Sequence, residues 1–440
     1  MHDLEAQPTA APLPVPTGPA VSAPAATAPA APGRTGALFH TLLAVGAFSV
    51  NAALLTATIL TLSLKAAAID PARATTILSV TATVGAVFTI VGYPLVGRLS
   101  DRTTGRFGRR RPYLVGGAVL IAAGAGLMVQ AASTPVLVAA HALLSTGYVT
   151  SLVAASALVP DQVPAERRGP SSTIVGLSTP IGALLGLFIA QLVQPNLTAM
   201  ILLPAGLGVL GSLALALGVQ DAPLAPEKRP AFAARDLVGT YWVNPLRAPA
   251  FAWAWTSRIL IFLGVSAVNA YQAFYLIMVQ HIDPAEVAGR IFLATLLLTG
   301  ASLAVAPLAA RISDRTGRRK PFVLAAAVVF AAGLALVTTA GSFAAFLVAV
   351  TVMGVGQGVY LAVDFALVTQ VLPDPENPAK DLGLMNLANT LPSSIVPAVA
   401  PALLAIGAGA GEQNFTALFG FGAIAAVLGA LAILPIRGAR

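Results

Sequence analysis

The chain has 440 residues, of which 57% are hydrophobic and 10% charged, with a formal charge of +8 and a mean hydropathy of +0.84. A soluble protein of this length needs far more polar surface, so composition excludes one. There are no cysteines, which excludes disulfides and thiolate chemistry, and the four histidines (His2, His40, His141, His281) show no metal-ligand spacing.

Residues 1–36 are rich in Ala and Pro and lack the basic start and apolar core of a signal peptide. They bury too little surface to fold and are expected to form a disordered cytoplasmic tail. Apolar spans of bilayer-crossing length then follow at 38–64, 75–97, 112–131, 135–159, 171–193 and 198–218. A polar linker is expected at 219–250, after which six more spans read as 251–280, 286–310, 321–340, 343–372, 383–407 and 415–436. Each has to be a helix, because a lipid-facing backbone must satisfy its own hydrogen bonds. The expected architecture is an all-α membrane protein of twelve helices, with halves at 37–218 and 251–440.

Basic residues set the orientation. All Lys and Arg except Lys65, Arg73, Arg258 and Arg290, which is 21 of 25, fall in the tail or in every second loop. That bias places them, and both termini, in the cytoplasm. The positive charge alternates with apolar spans and forms no continuous basic face, which favours anionic lipid headgroups over nucleic acid as partners.

The two halves repeat one another. "IDPA" at Ile69–Ala72 returns at Ile282–Ala285, and "SDRT" at Ser100–Thr103 returns at Ser313–Thr316. Pro94 matches Pro307, and the "PD" of Pro160–Asp161 matches Pro373–Asp374; every offset is 213 residues. Parallel six-helix repeats are one of the architectures of secondary transporters, with the solute site between the halves near mid-membrane.

"GRLSDRTTGRFGRRRP" at Gly97–Pro112 and "ARISDRTGRRKP" at Ala310–Pro321 resemble the loop signature of the major facilitator superfamily, roughly G-x-x-x-D-R-x-G-R-R. The resemblance covers the chain from about residue 38 to its end, although Ala310 stands where the second copy has its first glycine. "RFGRRRP" is further similar to the sucrose-type and glycoside–cation symporters. Most arginines of these stretches serve topology and headgroup binding, worth about 1 kcal/mol each near the surface. The resemblance implies more for Gly97, Asp101, Arg102, Arg109 and Arg110, and for Asp314, Arg315, Arg318 and Arg319: a latch between halves on the cytoplasmic face when the transporter opens outward. Each Asp is expected to accept hydrogen bonds from neighbouring Arg or from a helix N-terminus.

Ionisable groups at membrane depth are costly and usually functional. Asp364 lies nine residues before Pro373 and Arg258 seven after Phe251, so both sit roughly 10–13 Å deep at 1.5 Å per residue. They are expected to pair, with Asp364 exchanging a proton or binding the coupling cation. The alternatives are a purely structural acid and an arginine that snorkels to the interface beside Trp253 and Trp255.

Helical spacing places Gln357 and Tyr360 on the face of Asp364. Asn269 and Gln272 share a stripe with Arg258, with Tyr275 one turn further. His141, Ser145 and Tyr148 form a stripe on span 4, and Asn51 and Thr58 one on span 1. The family's arrangement lines its central cavity with spans 1, 4, 7 and 10; the bland reading of most of these groups is hydrogen bonding between helices. "GVGQG" at Gly354–Gly358 permits close helix contact, and Pro392, Pro397 and Pro401 are placed to bend span 11.

Two transport functions follow. One is proton-coupled symport of a small solute, of sugar or glycoside type. The other is proton-antiport export of a drug-like or amphiphilic compound, because "GLSTPIGA" at Gly176–Ala183 partly resembles the superfamily's antiporter signature, with Thr179 and Ala183 in place of two glycines. A membrane sensor that keeps the fold is a third reading, but the linker and tail offer no signalling domain. No G-x-x-x-x-G-K-[ST] loop exists for ATP, and no nucleophile–base constellation indicates an enzyme. The expected partners are a small-molecule solute, protons or another cation, and the lipid bilayer, with no cofactor. The expected state is a monomer in a bacterial inner membrane.

Overall fold

The computed structural model describes residues 36–224, 227, 248–370, 384–385, 387–409 and 412–436, and it is entirely helical with connecting turns among them. Among the described residues eleven helices are long and apolar enough to cross a membrane. They are α1 (Ala37–Ile69), α2 (Ala74–Asp101), α3 (Arg111–Gln130), α4 (Thr134–Gln162), α5 (Gly169–Leu192), α6 (Leu197–Gly218), α7 (Pro249–Met278), α8 (Val287–Thr316), α9 (Lys320–Thr339), α10 (Phe343–Gln370) and α11 (Leu387–Leu404). A shorter apolar helix, α12 (Phe415–Leu431), completes the set.

Packing reproduces the sequence repeat. In the first six helices the main pairs are α1–α5, α1–α6, α2–α4, α3–α4 and α3–α6. Six helices on, the same pairs recur as α7–α11, α7–α12, α8–α10, α9–α10 and α9–α12. The main contacts between the two sets, α2–α11 and α5–α8, exchange with each other when the halves are exchanged. Local details repeat too. Asp70 Oδ1 accepts from the backbone of Ala72 at 3.0 Å, and Asp283 Oδ1 from that of Ala285 at 2.8 Å. Arg111 at the start of α3 donates to the Val219 carbonyl after α6. Lys320 at the start of α9 donates in the same way to the Ile436 carbonyl after α12.

Small residues bring the helices close. A Cβ on Gly354 or Gly358 would lie 2.3 Å from the carbonyl of Leu298 or Ser302 on α8, and one on Gly356 would lie 2.6 Å from the Phe330 nitrogen on α9. The "GVGQG" run therefore wedges α10 between two neighbours.

Two sequence expectations change. The arginine stretches are not loops from Gly97 and Ala310 onward: α2 runs to Asp101 and α8 to Thr316. At 28 residues α2 spans about 42 Å against a hydrocarbon core of about 30 Å, so its end projects beyond it. Gly97, Asp101, Asp314 and Arg315 are thus helical, and the turns between helices hold Arg109, Arg318 and Arg319. Second, α1 continues to Ile69 through a π-helical turn at Ala57–Thr61 that packs on α7. At Pro392 α11 stays continuous: Leu391 before it has helical backbone angles and donates to the Leu387 carbonyl at 2.8 Å, so the proline withholds one ladder donor without ending the helix. Most of the linker, the tail to Thr35 and Pro373–Asp374 lie outside the described residues.

Candidate functional site

Asp364 on α10 and Arg258 on α7 form an ion pair. Both are buried, at 2% and 7% exposure. The arginine that the sequence allowed to snorkel instead points into the C-terminal half, while Trp253 stays exposed. Arg258 also donates through Nη1 to the Met385 carbonyl at 3.3 Å, so one guanidinium holds α10 and the chain entering α11. Burying a charge pair costs several kcal/mol of desolvation that the mutual attraction only partly returns. The pair is therefore weak evidence for stability and better evidence for use.

Tyr360 lies one turn from Asp364, is 1% exposed and packs edge-on to Phe262. Its hydroxyl lies beside Arg258 and Ser257. Gln357 is half-buried, and helical spacing carries it to the side of α10 that holds Tyr360 and Asp364. On α7, Gln272 is 3% exposed and Asn269 half-buried. Tyr275 leaves the stripe: its hydroxyl donates to the carbonyls of Val337 and Ala340 and anchors the far end of α7 to α9.

The N-terminal residues are differently placed. Asn51 is fully buried and donates to the Ala47 carbonyl at 2.9 Å and to Ser178 Oγ on α5 at 3.2 Å. Tyr148 on α4 donates to Asn51 Oδ1 at 3.2 Å, so α1, α4 and α5 share one polar knot. Thr58 is half-buried and bonds the Leu54 carbonyl within its own helix. His141 is buried against α2 at Gly85, where an added Cβ would come within 2.3 Å of the imidazole, and its Nδ1 has no partner. Ser145 lies against the same glycine.

The arginine stretch builds a second cluster. Arg110, 2% exposed, donates through Nε to Asp161 at 2.8 Å, through Nη2 to Asp101 at 2.6 Å and through Nη1 to Ser100 Oγ at 2.5 Å. Arg109 adds a 3.2 Å bond to Asp101. Asp101 ends α2, where the helix dipole disfavours an anion, so the arginines hold it and no helix N-terminus does. Burial acts to lower the Arg110 pKa, but the hydrogen bond and charge of Asp161, followed by those of Asp101, outweigh it and the net shift is upward.

Asp221, just past α6, accepts from the backbone N–H groups of Arg110 and Arg111 at 2.6 and 2.9 Å and so caps α3. Gly108 crosses this carboxylate at φ +94°, where a side chain would be strained and would collide with Asp221. Arg102 forms the C-cap of α2, and Gly97 faces Val153 with room for a Cβ.

In the second copy Asp374, the counterpart of Asp161, lies outside the described residues. Asp314 meets Arg319 at 3.6 Å on an exposed surface, while Arg315 and Arg318 are exposed. Asp161 and Asp221 were missed as partners of the stretch. The repeated "PD" marked Asp161 without indicating what it touches, and nothing local marked Asp221. Among the described residues no group of three or more His, Cys, Asp or Glu is placed to hold a metal.

The family model of the Major Facilitator Superfamily matches residues 36–305 and 291–439. Among solved structures, the nucleoside transporter NupG superposes with a TM-score of 0.71 at 13% identity, over 91% of this chain and 100% of that one. The D-xylose-proton symporter superposes with a TM-score of 0.67 at 17% identity, over 91% and 97%. Repeat, packing and family match agree: the chain belongs to the major facilitator superfamily and is a multi-pass membrane transporter.

Proposed function

We propose that the protein is a proton-coupled symporter for a small polar solute of sugar or glycoside type, working by alternating access with its arginine-rich end and both termini in the cytoplasm. The observation that carries this reading is the buried Arg258–Asp364 pair, a carboxylate and its fixed cationic counter-ion at membrane depth in one half of the transporter. The buried Tyr360 hydroxyl, beside Arg258 and Ser257, adds a polar group next to the pair. One fold relative is named as a proton symporter for a pentose, in keeping with the proposal.

Export by proton antiport is the second reading. The segment "GLSTPIGA" lies against α1, with Ser178 bonded to Asn51 and Gly182 packed on Phe48 and Asn51. A motif in that position bears on how α1 and α5 move together.

Proton flux in liposomes holding the purified protein separates the two. An external sugar that draws protons inward in the parent but not in Asp364→Asn supports symport and the role of the acid. Proton movement opposite to an amphiphilic drug favours export. Indifference to both classes of compound defeats the coupling proposal.

A further inference from the structure

His141 is a titratable group that the Arg258–Asp364 pair leaves unused. It lies on α4 at 3% exposure, against Gly85 of α2, and its Nδ1 has no hydrogen-bond partner. The repeat shows that packing does not call for an imidazole at this place. An offset of 213 residues carries His141 to Gly354 and Gly85 to Leu298. Those two also meet, since a Cβ on Gly354 would lie 2.3 Å from the Leu298 carbonyl oxygen. The C-terminal half thus makes the same helix contact with no ionisable group in it.

No counter-ion is within reach of this ring. α4 packs on α1, α2, α3 and α5, and α5 carries no ionisable residue. Arg111 and Tyr113 open α3 and His40 opens α1, all at the arginine-rich end. Lys65, near the other end of α1, donates to the Val129 carbonyl and has the wrong sign to stabilise an imidazolium. On α2, Tyr93 and Arg98 supply no anion, and Asp101 is 16 residues from Gly85, about 24 Å along the helix at 1.5 Å per residue. On α4 itself Tyr148 donates to Asn51, and Asp161 is 20 residues away, or about 30 Å by the same rise. Both carboxylates are held by Arg110. A charged imidazole here is therefore costly unless water reaches it.

The helix that covers the ring also joins the two halves. α2 carries Ser79 and Thr75, which bond to Tyr271 and Gln413 of the other half. We propose that His141 is a second proton-binding site, in the N-terminal half, whose occupation loosens the junction between halves at the end remote from the arginines. Hydrating the charge requires Gly85 to move off the ring. A shift of α2 then takes Ser79 and Thr75 out of line with Tyr271 and Gln413. The neutral imidazole lets α2 seat again. Asp364 has no part in this switch, which stands or falls apart from its role in coupling.

The chain has no cysteine, so spin labels can be placed at Arg73→Cys and Glu286→Cys. Both residues are exposed at this end, one in each half. Electron–electron distances in nanodiscs then report short and long separations of the halves. Protons favour the state that binds them, and a solvated imidazole titrates near pH 6.5. The ratio of long to short distances should therefore rise about tenfold from pH 7.5 to 5.5. His141→Gln, uncharged at every pH, should abolish the change, with His141→Asn as the substitute if glutamine does not fold there. Asp364→Asn should retain it. A parent without the pH response overturns the proposal, and so does a response that survives in His141→Gln or disappears in Asp364→Asn. Failure of proton-coupled symport in the liposome assay leaves a positive result here standing, so the two readings fail separately.

Discussion

Ser79 on α2 and Tyr271 on α7 share a buried hydrogen bond of 2.7 Å between their hydroxyls, 192 residues apart and from opposite halves. Ser79 lies 22 residues before Asp101 on the same helix, about 33 Å from the arginine cluster at 1.5 Å per residue. Two further contacts between halves lie at the same end: Gln413 donates to Thr75 Oγ1 at 2.8 Å, and the Gly289 backbone to Gln194 Oε1 at 3.2 Å. These three bonds join the two halves at the end remote from the arginines. Removing the hydroxyl pair with Ser79→Ala and Tyr271→Phe should shift the population toward states open at that end. The expected size is about two- to tenfold, as for one hydrogen bond. Alkylation of a cysteine introduced at Thr75 measures it, and an unchanged rate means the bond does not contribute to closure.

Thr75→Cys combined with Gln413→Cys, bridged by a short reducible bis-methanethiosulfonate reagent that spans the length of the Gln413 side chain, should hold this end shut. Transport is expected to stop on bridging and return on reduction, while the reagent leaves either single variant active. Full transport by cross-linked protein would show that this end need not open.

Arg110 is the hub of the arginine cluster, and Arg110→Ala strips Asp101 and Asp161 of their main cation. Breaking a fully buried pair costs roughly 3–5 kcal/mol. Both carboxylates here are partly exposed, so solvent screening reduces the expected loss to about 1–3 kcal/mol. Arg110→Lys should recover little, because an ammonium does not reproduce the fork that reaches Ser100, Asp101 and Asp161 together. Thermal unfolding in detergent measures both.

The Arg110 pKa is raised on folding. Its stabilisation is therefore complete below the unfolded value and lost only as pH climbs through the still higher folded value. Both values lie far above neutrality, so the stability difference between Arg110→Ala and its parent should be flat from about pH 6 to 9. A steep change in that window would assign the cluster's pH dependence to other groups.

Gly358→Ala places a methyl group 2.3 Å from the Ser302 carbonyl and 2.7 Å from its Cα. The clash is with backbone, so α8 and α10 must separate. The expected cost is about 1–3 kcal/mol or more, seen as a lower unfolding temperature. The same change at Gly300, which has open space around it, should be tolerated.

Local patterns along the chain were enough to establish the fold and, as one reading among several, the charge pair. Hydropathy counts spans, and the 213-residue offset pairs Pro94 with Pro307 and Asp101 with Asp314, because both signals are local properties of the chain. Arg258 and Asp364 were legible as partners because equal depth on neighbouring helices restricts a buried charge to few choices. Tertiary structure alone decided the rest. Asn51 is tied to Ser178 and Tyr148, Tyr275 is drawn off to α9, and Asp161 and Asp221 converge on Arg110. Which carbonyl or carboxylate a side chain meets depends on helix rotation and crossing, and those are set by packing contacts that no single helix encodes.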